Sequence, residues 1–396
     1  MHMRQLLPMV IVCLAGTVRA ATACQAQGSQ PGLVVPVPPV SAVTVLVDSF
    51  PSADGRRRPF SVTRGANAAG RVPVVIFANA AGTFVRNFRA YQEWARLVTT
   101  RGFAGILYDA PDLDFSRPAA ETNRLGVATL DSLVRALQRG DGRYGIDSRH
   151  VVIWAGSAQT QVGTPYSLEG DRPVAGYVLY YGSGNVGAPR ADVPVLMVRA
   201  GQDHPALNAS MDSLAVALTR TGVPLTVLHH PAGAHGFDIV DSTRASAAVI
   251  AQTLDFMSTA IDPAYRQSIV EGAPLARAAA AYAANRWGDA ARLYGEVAMR
   301  RPHDRIVTWR LGLAQLANAQ PADALASFDR ARALGQGGAR DIGLPATRAA
   351  LRVQQTTRAV EWLNWALQSY PGIRAEVTRD AELAPLLEHP QVRRPS

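Results

Sequence analysis

The sequence contains no lysine, so all 40 of its Lys-plus-Arg positions are arginine. Without an ε-amine, Schiff-base chemistry, a lysine-bearing phosphate loop and a Ser-Lys dyad are excluded. Charge is sparse: 18% of residues are charged against 48% hydrophobic, which argues against disorder as the main state. The formal charge of +9 comes from scattered arginines, with no run longer than Arg56-Arg57-Arg58, so no nucleic-acid surface is expected. Cysteine is nearly absent. Cys13 lies inside an N-terminal stretch that reads as an export leader, so the mature chain keeps at most Cys24 and forms no internal disulfide. No later run is long and apolar enough to span a bilayer.

The leader is read over residues 1–23: Arg4 gives a positive start, Leu6 to Ala15 is apolar, and Ala21-Thr22-Ala23 offers small residues for cleavage. A periplasmic or secreted location follows, with Cys24 a candidate for lipid attachment. Residues 24–40 are rich in Gln, Gly, Pro and Val, and Pro36-Val37-Pro38-Pro39 cannot continue a helix, so an extended linker is expected.

Residues 41–261 carry short β-branched runs, from Ala42 to Phe50, Val72 to Asn79, Ala104 to Asp109, Val151 to Ala155, Val174 to Tyr181, Pro194 to Ala200 and Pro224 to His230. Helical stretches separate most of them: Asn87 to Thr100, Glu121 to Gln138, Leu207 to Thr221 and Ala245 to Ile261. Strands apolar at nearly every position, separated by helices, predict an α/β class with a doubly wound, mostly parallel sheet covered on both faces. From there on the chain reads as all helix. Ala290, Tyr294 and Val297 recur 34 residues later as Ala324, Phe328 and Ala331, and 35 further on as Ala359, Leu363 and Ala366. Over residues 274–372 these spacings resemble tetratricopeptide repeats, in which small residues let paired helices pack closely, and they imply a surface for a protein partner. Residues 373–396 are expected to cap that array.

Chemistry concentrates at three strand ends. Val151 to Gly156 leads into Ser157 between small residues, the sharp strand-to-helix turn that lifts a serine hydroxyl clear of a sheet. Against the G-x-S-x-G pattern, Ala155 and Gln159 stand at the two glycine positions. Asp203 follows the strand ending at Ala200, 46 residues after the serine, and His235 sits in a loop after His230, another 32 residues on. The order Ser, Asp, His, each after a different strand, suits a hydroxyl made reactive by a histidine base that the aspartate orients. The turn after the Val72 to Asn79 strand, with Ala80 and Ala81, and the backbone N–H of Ala158 are candidate oxyanion donors. Asp109, Tyr181 and Phe237 are candidate substrate-lining residues, Asp109 alternatively a loop cap and the aromatics alternatively core. No metal is expected, since His229 and His230 alternate faces on one strand, and His204 beside Asp203 is a weaker base candidate. Fewer than fifteen residues separate Tyr181 from Pro194, too few for a helical lid.

Residues 40 to 261 resemble the dienelactone-hydrolase-like branch of the α/β-hydrolase family, through Pro73-Val74-Val75-Ile76-Phe77, Trp154-Ala155-Gly156-Ser157-Ala158, Arg199-Ala200-Gly201-Gln202-Asp203 and Ala234-His235-Gly236-Phe237-Asp238. The resemblance implies Ser157 as nucleophile, Asp203 as acid and His235 as base, acting without a cofactor on a small ester or acyl substrate. The dienelactone hydrolases proper use a cysteine nucleophile, so their lactone specificity does not transfer. Two rival readings share these residues: a peptidase resembling the prolyl-oligopeptidase group, and a hydrolase fold of weak or no activity serving as a binding scaffold for its helical repeats.

Overall fold

The computed structural model describes residues 30–79, 84–111, 119–335 and 338–392. The expected leader, Cys24, Ala80 and Ala81 lie outside the described residues, as does most of the loop from Pro111 to Ala120. The chain forms two compact units: the second takes in the residues from Ser268 onward together with Arg220–Gly222, and the first takes in the rest. The division at Gln267/Ser268 lies between the expected sheet domain ending at Ile261 and the expected helical array starting at residue 274, inside the helix Pro263–Ala283.

The first unit is built on one eight-stranded sheet in the order β1-β2-β4-β3-β5-β6-β7-β8: β1 Val43–Pro51, β2 Arg57–Gly65, β3 Val72–Asn79, β4 Ala104–Tyr108, β5 Ile146–Gly156, β6 Val174–Tyr180, β7 Val195–Ala200 and β8 Leu225–His230. From β4 to β8 every neighbouring pair is parallel, whereas β2 is antiparallel to both β1 and β4. β2 has no counterpart among the strands expected from sequence. Arg57, Arg58 and Pro59 interrupt its apolar pattern, and it is formed through a turn at Asp54-Gly55, where Gly55 takes a φ of 79°.

Alternation explains why both faces are covered. Val74 and Ile76 of β3 and Val151 and Ile153 of β5 enter one core with Leu130, Leu133 and Leu137 of the helix Ala119–Arg139. Val75, Phe77, Val152 and Trp154 enter the other, with Trp94 of the helix Arg89–Leu97 and Leu254 and Met257 of the helix Arg244–Ile261. The expected linker is more than a tether. Leu33, Val34 and Val35 pack against the second core, and the Leu33 N–H donates to Glu93 Oε2 at 2.6 Å. Residues 181–194 contain no helix.

The second unit is helical. Trp287–Arg300, Arg305–Ala317, Pro321–Ala333, Ala339–Arg352 and Thr356–Ser369 follow the long helix Pro263–Ala283, and consecutive helices from Trp287 onward pack on one another. All nine residues of the 34- and 35-residue period are buried, Ala290, Ala324 and Ala359 completely so. No helix among the described residues is long and apolar enough to cross a membrane.

Candidate active site

β5 ends at Gly156, in extended backbone, and Ser157 follows with a φ of 53°. That left-handed conformation costs an L-residue about 1–2 kcal/mol, and it makes the reversal from strand to helix sharp enough to leave the serine partly exposed. The turn is held from behind. Thr160 Oγ1 lies 2.6 Å from the Ser157 carbonyl oxygen and accepts the Ser183 N–H at 3.0 Å, tying the turn to the segment after β6. The helix Thr160–Leu168 then packs closely on the sheet, where a Cβ on Gly163 would stand 2.5 Å from Ala155 Cβ. Gln159, at the second departure from the glycine pattern, is accommodated by burial, with 3% of its surface exposed.

Asp203 and His235 reach Ser157 from two loops zipped together through their backbones. Gly201 N–H donates to His230 O at 2.8 Å and Gln202 N–H to Gly233 O at 2.9 Å. A Cβ at Gly201 would stand 2.3 Å from the Pro231 carbonyl oxygen, so only glycine allows this approach. The result is a continuous chain: Ser157 Oγ is 2.9 Å from His235 Nε2, and His235 Nδ1 is 2.8 Å from Asp203 Oδ2. Asp203 Oδ1 accepts the His204 N–H at 2.7 Å, which fixes the carboxylate's orientation. The Asp203 side chain is buried at 4% exposure while His235 keeps 41%, so the histidine is open to solvent and small molecules. Such an array can move a proton from the hydroxyl to the imidazole while the carboxylate balances the imidazolium. Ala158, next in the turn, is exposed.

His204, His229 and His230 stand apart from this hydrogen-bonded chain. His204 Nδ1 accepts the Ala206 N–H, exposed His229 lies 3.5 Å from an Arg199 nitrogen, and buried His230 meets Ser246 Oγ at 2.9 Å. The three candidate lining residues are all buried. Phe237 stacks on Tyr180 with ring centroids 5.7 Å apart. The Tyr181 hydroxyl donates to Asp238 Oδ1 at 2.7 Å. Asp109 lies 3.4 Å from Arg86 Nε, and its burial raises the carboxyl pKa against the pull of that guanidinium. None of the three presents free surface to a substrate.

In the sequence Asp238 stands out only as the last residue of the histidine motif. In the structure its fully buried carboxylate accepts from Trp94 Nε1 at 2.8 Å as well as from Tyr181. Burial pushes its pKa up, and the two hydrogen bonds pull the other way. The one local signal is an acid directly after an aromatic, three residues past the histidine, at the start of the short helix Phe237–Val240.

Strand order, the turn at Ser157 and the two loops meeting at one sheet edge define the first unit as an α/β-hydrolase fold, followed in the chain by a helical region. Residues 165–261 match the Dienelactone hydrolase family, a segment that contains Asp203 and His235 and begins after Ser157. Similar solved structures include a putative dienelactone hydrolase from Klebsiella pneumoniae subsp. pneumoniae MGH 78578, with 19% identity over 55% of this chain and 99% of that one and a TM-score of 0.45. A bacterial heroin esterase gives 17%, 56%, 85% and 0.45 for the same measures. Brefeldin A esterase, a bacterial homologue of human hormone-sensitive lipase, gives 12%, 57%, 80% and 0.47. No curated protein matches the chain.

Proposed function

We propose that the protein is an exported serine hydrolase that cleaves an ester or related acyl bond through an acyl-enzyme. The observation that carries this reading is the unbroken chain from Ser157 Oγ through His235 to Asp203. Ser157 attacks the acyl carbon as its proton passes to His235 Nε2, and Asp203 holds Nδ1 protonated and steadies the imidazolium. The tetrahedral oxyanion is received by the Ala158 N–H, next in the turn after the nucleophile. On collapse, His235 returns the proton to the departing alcohol, and water repeats the sequence to release the acid. The exposed imidazole and the helix-free connection between β6 and β7 suit small or end-on substrates.

A fluorophosphonate probe tests the reading directly: it should label the wild type and fail to label Ser157→Ala, with p-nitrophenyl esters of graded acyl length mapping preference. Folded wild type that takes no label would favour the scaffold reading, and a proline-containing peptide cleaved faster than short esters would favour the peptidase. We also read the helical unit as tetratricopeptide-like and as a protein-docking module, supported by the burial of its periodic small residues. Export and lipid attachment at Cys24 are tested by cell fractionation and by the mass of the mature N-terminus.

A further inference from the structure

We propose that Asp238 is a positioning residue: its buried carboxylate fixes Tyr181, and the Tyr181 ring in turn holds the His235 imidazole in line between Ser157 and Asp203. The inference rests on the hydrolase reading above and adds to it a residue that touches none of the reacting atoms.

The physical problem is the exposure of His235. With 41% of its side chain open, solvent gives the imidazole no wall on that side, and rotation away from Ser157 competes with the productive pose. The ring packed against it is Tyr181, with centroids 4.7 Å apart and planes inclined by 58°. Tyr181 is itself in an unusual conformation, with a φ of 32° just past the end of β6, and its hydroxyl is anchored 2.7 Å from Asp238 Oδ1. The second oxygen of Asp238 is taken by Trp94 Nε1 at 2.8 Å, and its backbone carbonyl accepts the Val34 N–H at 3.1 Å. Asp238 therefore joins the histidine loop, the end of β6, the helix Arg89–Leu97 and the N-terminal segment at one point, three residues after His235. Burying a carboxylate is unfavourable unless both oxygens are well bonded. An apolar residue here would fill the space at less cost, but it would give Tyr181 no acceptor, so the arrangement favours orientation over stability.

The neighbouring tyrosine supplies a matched control. Tyr180 is fully buried in the same aromatic cluster and bonds Thr253 Oγ1 at 2.6 Å. Tyr180→Phe and Tyr181→Phe each delete one buried hydroxyl and keep the ring, but only the second acts on His235. With a short p-nitrophenyl ester and the full-length protein, Tyr181→Phe should lower kcat by about tenfold with KM within about twofold, the scale expected when a reacting group is slightly misplaced. Tyr180→Phe should lower the melting temperature alone. Asp238→Asn should lower kcat similarly, and the double variant Asp238→Asn/Tyr181→Phe should be no slower than the slower single, because both act along one path. Equal kcat in the two tyrosine variants, with wild type active, would overturn the inference and leave the hydrolase reading standing. Additive losses in the double variant would do the same, and the tyrosine pair decides alone if Asp238→Asn does not fold. Wild type that neither turns over nor takes the fluorophosphonate label would remove the hydrolase reading and this inference together.

Discussion

Among the described residues five non-glycine positions take a left-handed backbone, two in the sheet unit and three in the helical unit, and strain of one kind serves different ends in each. Ser157 and Tyr181 stand at the ends of adjacent parallel strands, where the candidate site lies. Neither position repeats elsewhere. Asn285, Ala319 and Gln354 are 34 and 35 residues apart, and each stands two residues past the end of a helix. Their hydrogen bonds repeat as well: Arg286 N–H to Ala281 O, Gln320 N–H to Gln315 O and Gln355 N–H to Ala350 O, all at 2.9 Å. This is the helix-closing turn that usually places glycine in the left-handed position. In the helical unit the strain is a by-product of a repeated turn, whereas in the sheet unit it aims particular side chains.

The largest effects that would test this contrast fall on the sheet unit. Ser157→Gly removes the hydroxyl and relieves the backbone at once, so hydrolysis should fall on the order of 10⁶-fold in kcat while the melting temperature rises. Ser157→Ala should abolish turnover equally without the thermal gain. If Ser157→Gly melts no higher than Ser157→Ala, the turn at β5 is not strained in the sense argued. Asp203→Asn comes next. It keeps the shape and loses the charge opposite Nδ1, and kcat on a short ester should drop on the order of 10⁴-fold, with little change in stability.

What the sequence made legible follows the same division. Parallel strands buried on both faces stand out as unbroken apolar runs, and the small residues of the helical period stand out as repeats, because each signal is local. Ser157, Asp203 and His235 were accessible to sequence reasoning because each follows its own strand, and hydrogen-bond distances now connect them. β2 was not legible. Its arginines and proline hide an antiparallel strand that forms only against β1 and β4, with Arg58 reaching across to the Ala110 carbonyl at 3.0 Å. Nor could the union of Trp94, Tyr181 and Asp238 be read, since it depends on packing between elements 57 and 144 residues apart in sequence.

Acid should separate the units by a smaller margin. In the sheet unit, hydrogen bonds and ion pairs hold Asp48, Asp147 and Asp192 below the ordinary carboxylate range, through Tyr144, Arg149 and Arg190 respectively. In the helical unit, with burial opposing, Arg348 holds Asp380 down. For each group the folded pKa lies below the unfolded one, so its contribution is intact above about pH 4 and is lost as pH falls through the folded value. Asp109 and Asp238, raised by burial, act in the opposite sense in the sheet unit and reduce the difference. Brief incubation between pH 4 and 2, followed by pulsed hydrogen exchange at one common pH, should show the sheet unit losing protection first. Earlier loss in the helical unit would mean that the buried acids outweigh the paired ones.

The smallest expected effect is the most pointed. Ala319 has no side chain able to bond its own backbone, so it meets the left-handed penalty without compensation, and Ala319→Gly should stabilise the helical unit. Glycine also frees the unfolded chain, which takes back part of the gain, leaving roughly 0.5–1 kcal/mol. Asn285→Gly should gain less, because asparagine tolerates that conformation better than alanine does. Neither change should alter ester turnover. Urea titrations following the exchange of backbone amides in residues 263–333, which span the helices on both sides of Asn285 and Ala319, would measure the difference. If Ala319→Gly destabilises, the repeated turn is held by something other than backbone geometry, and the contrast between periodic strain in the helices and directed strain at Ser157 does not hold.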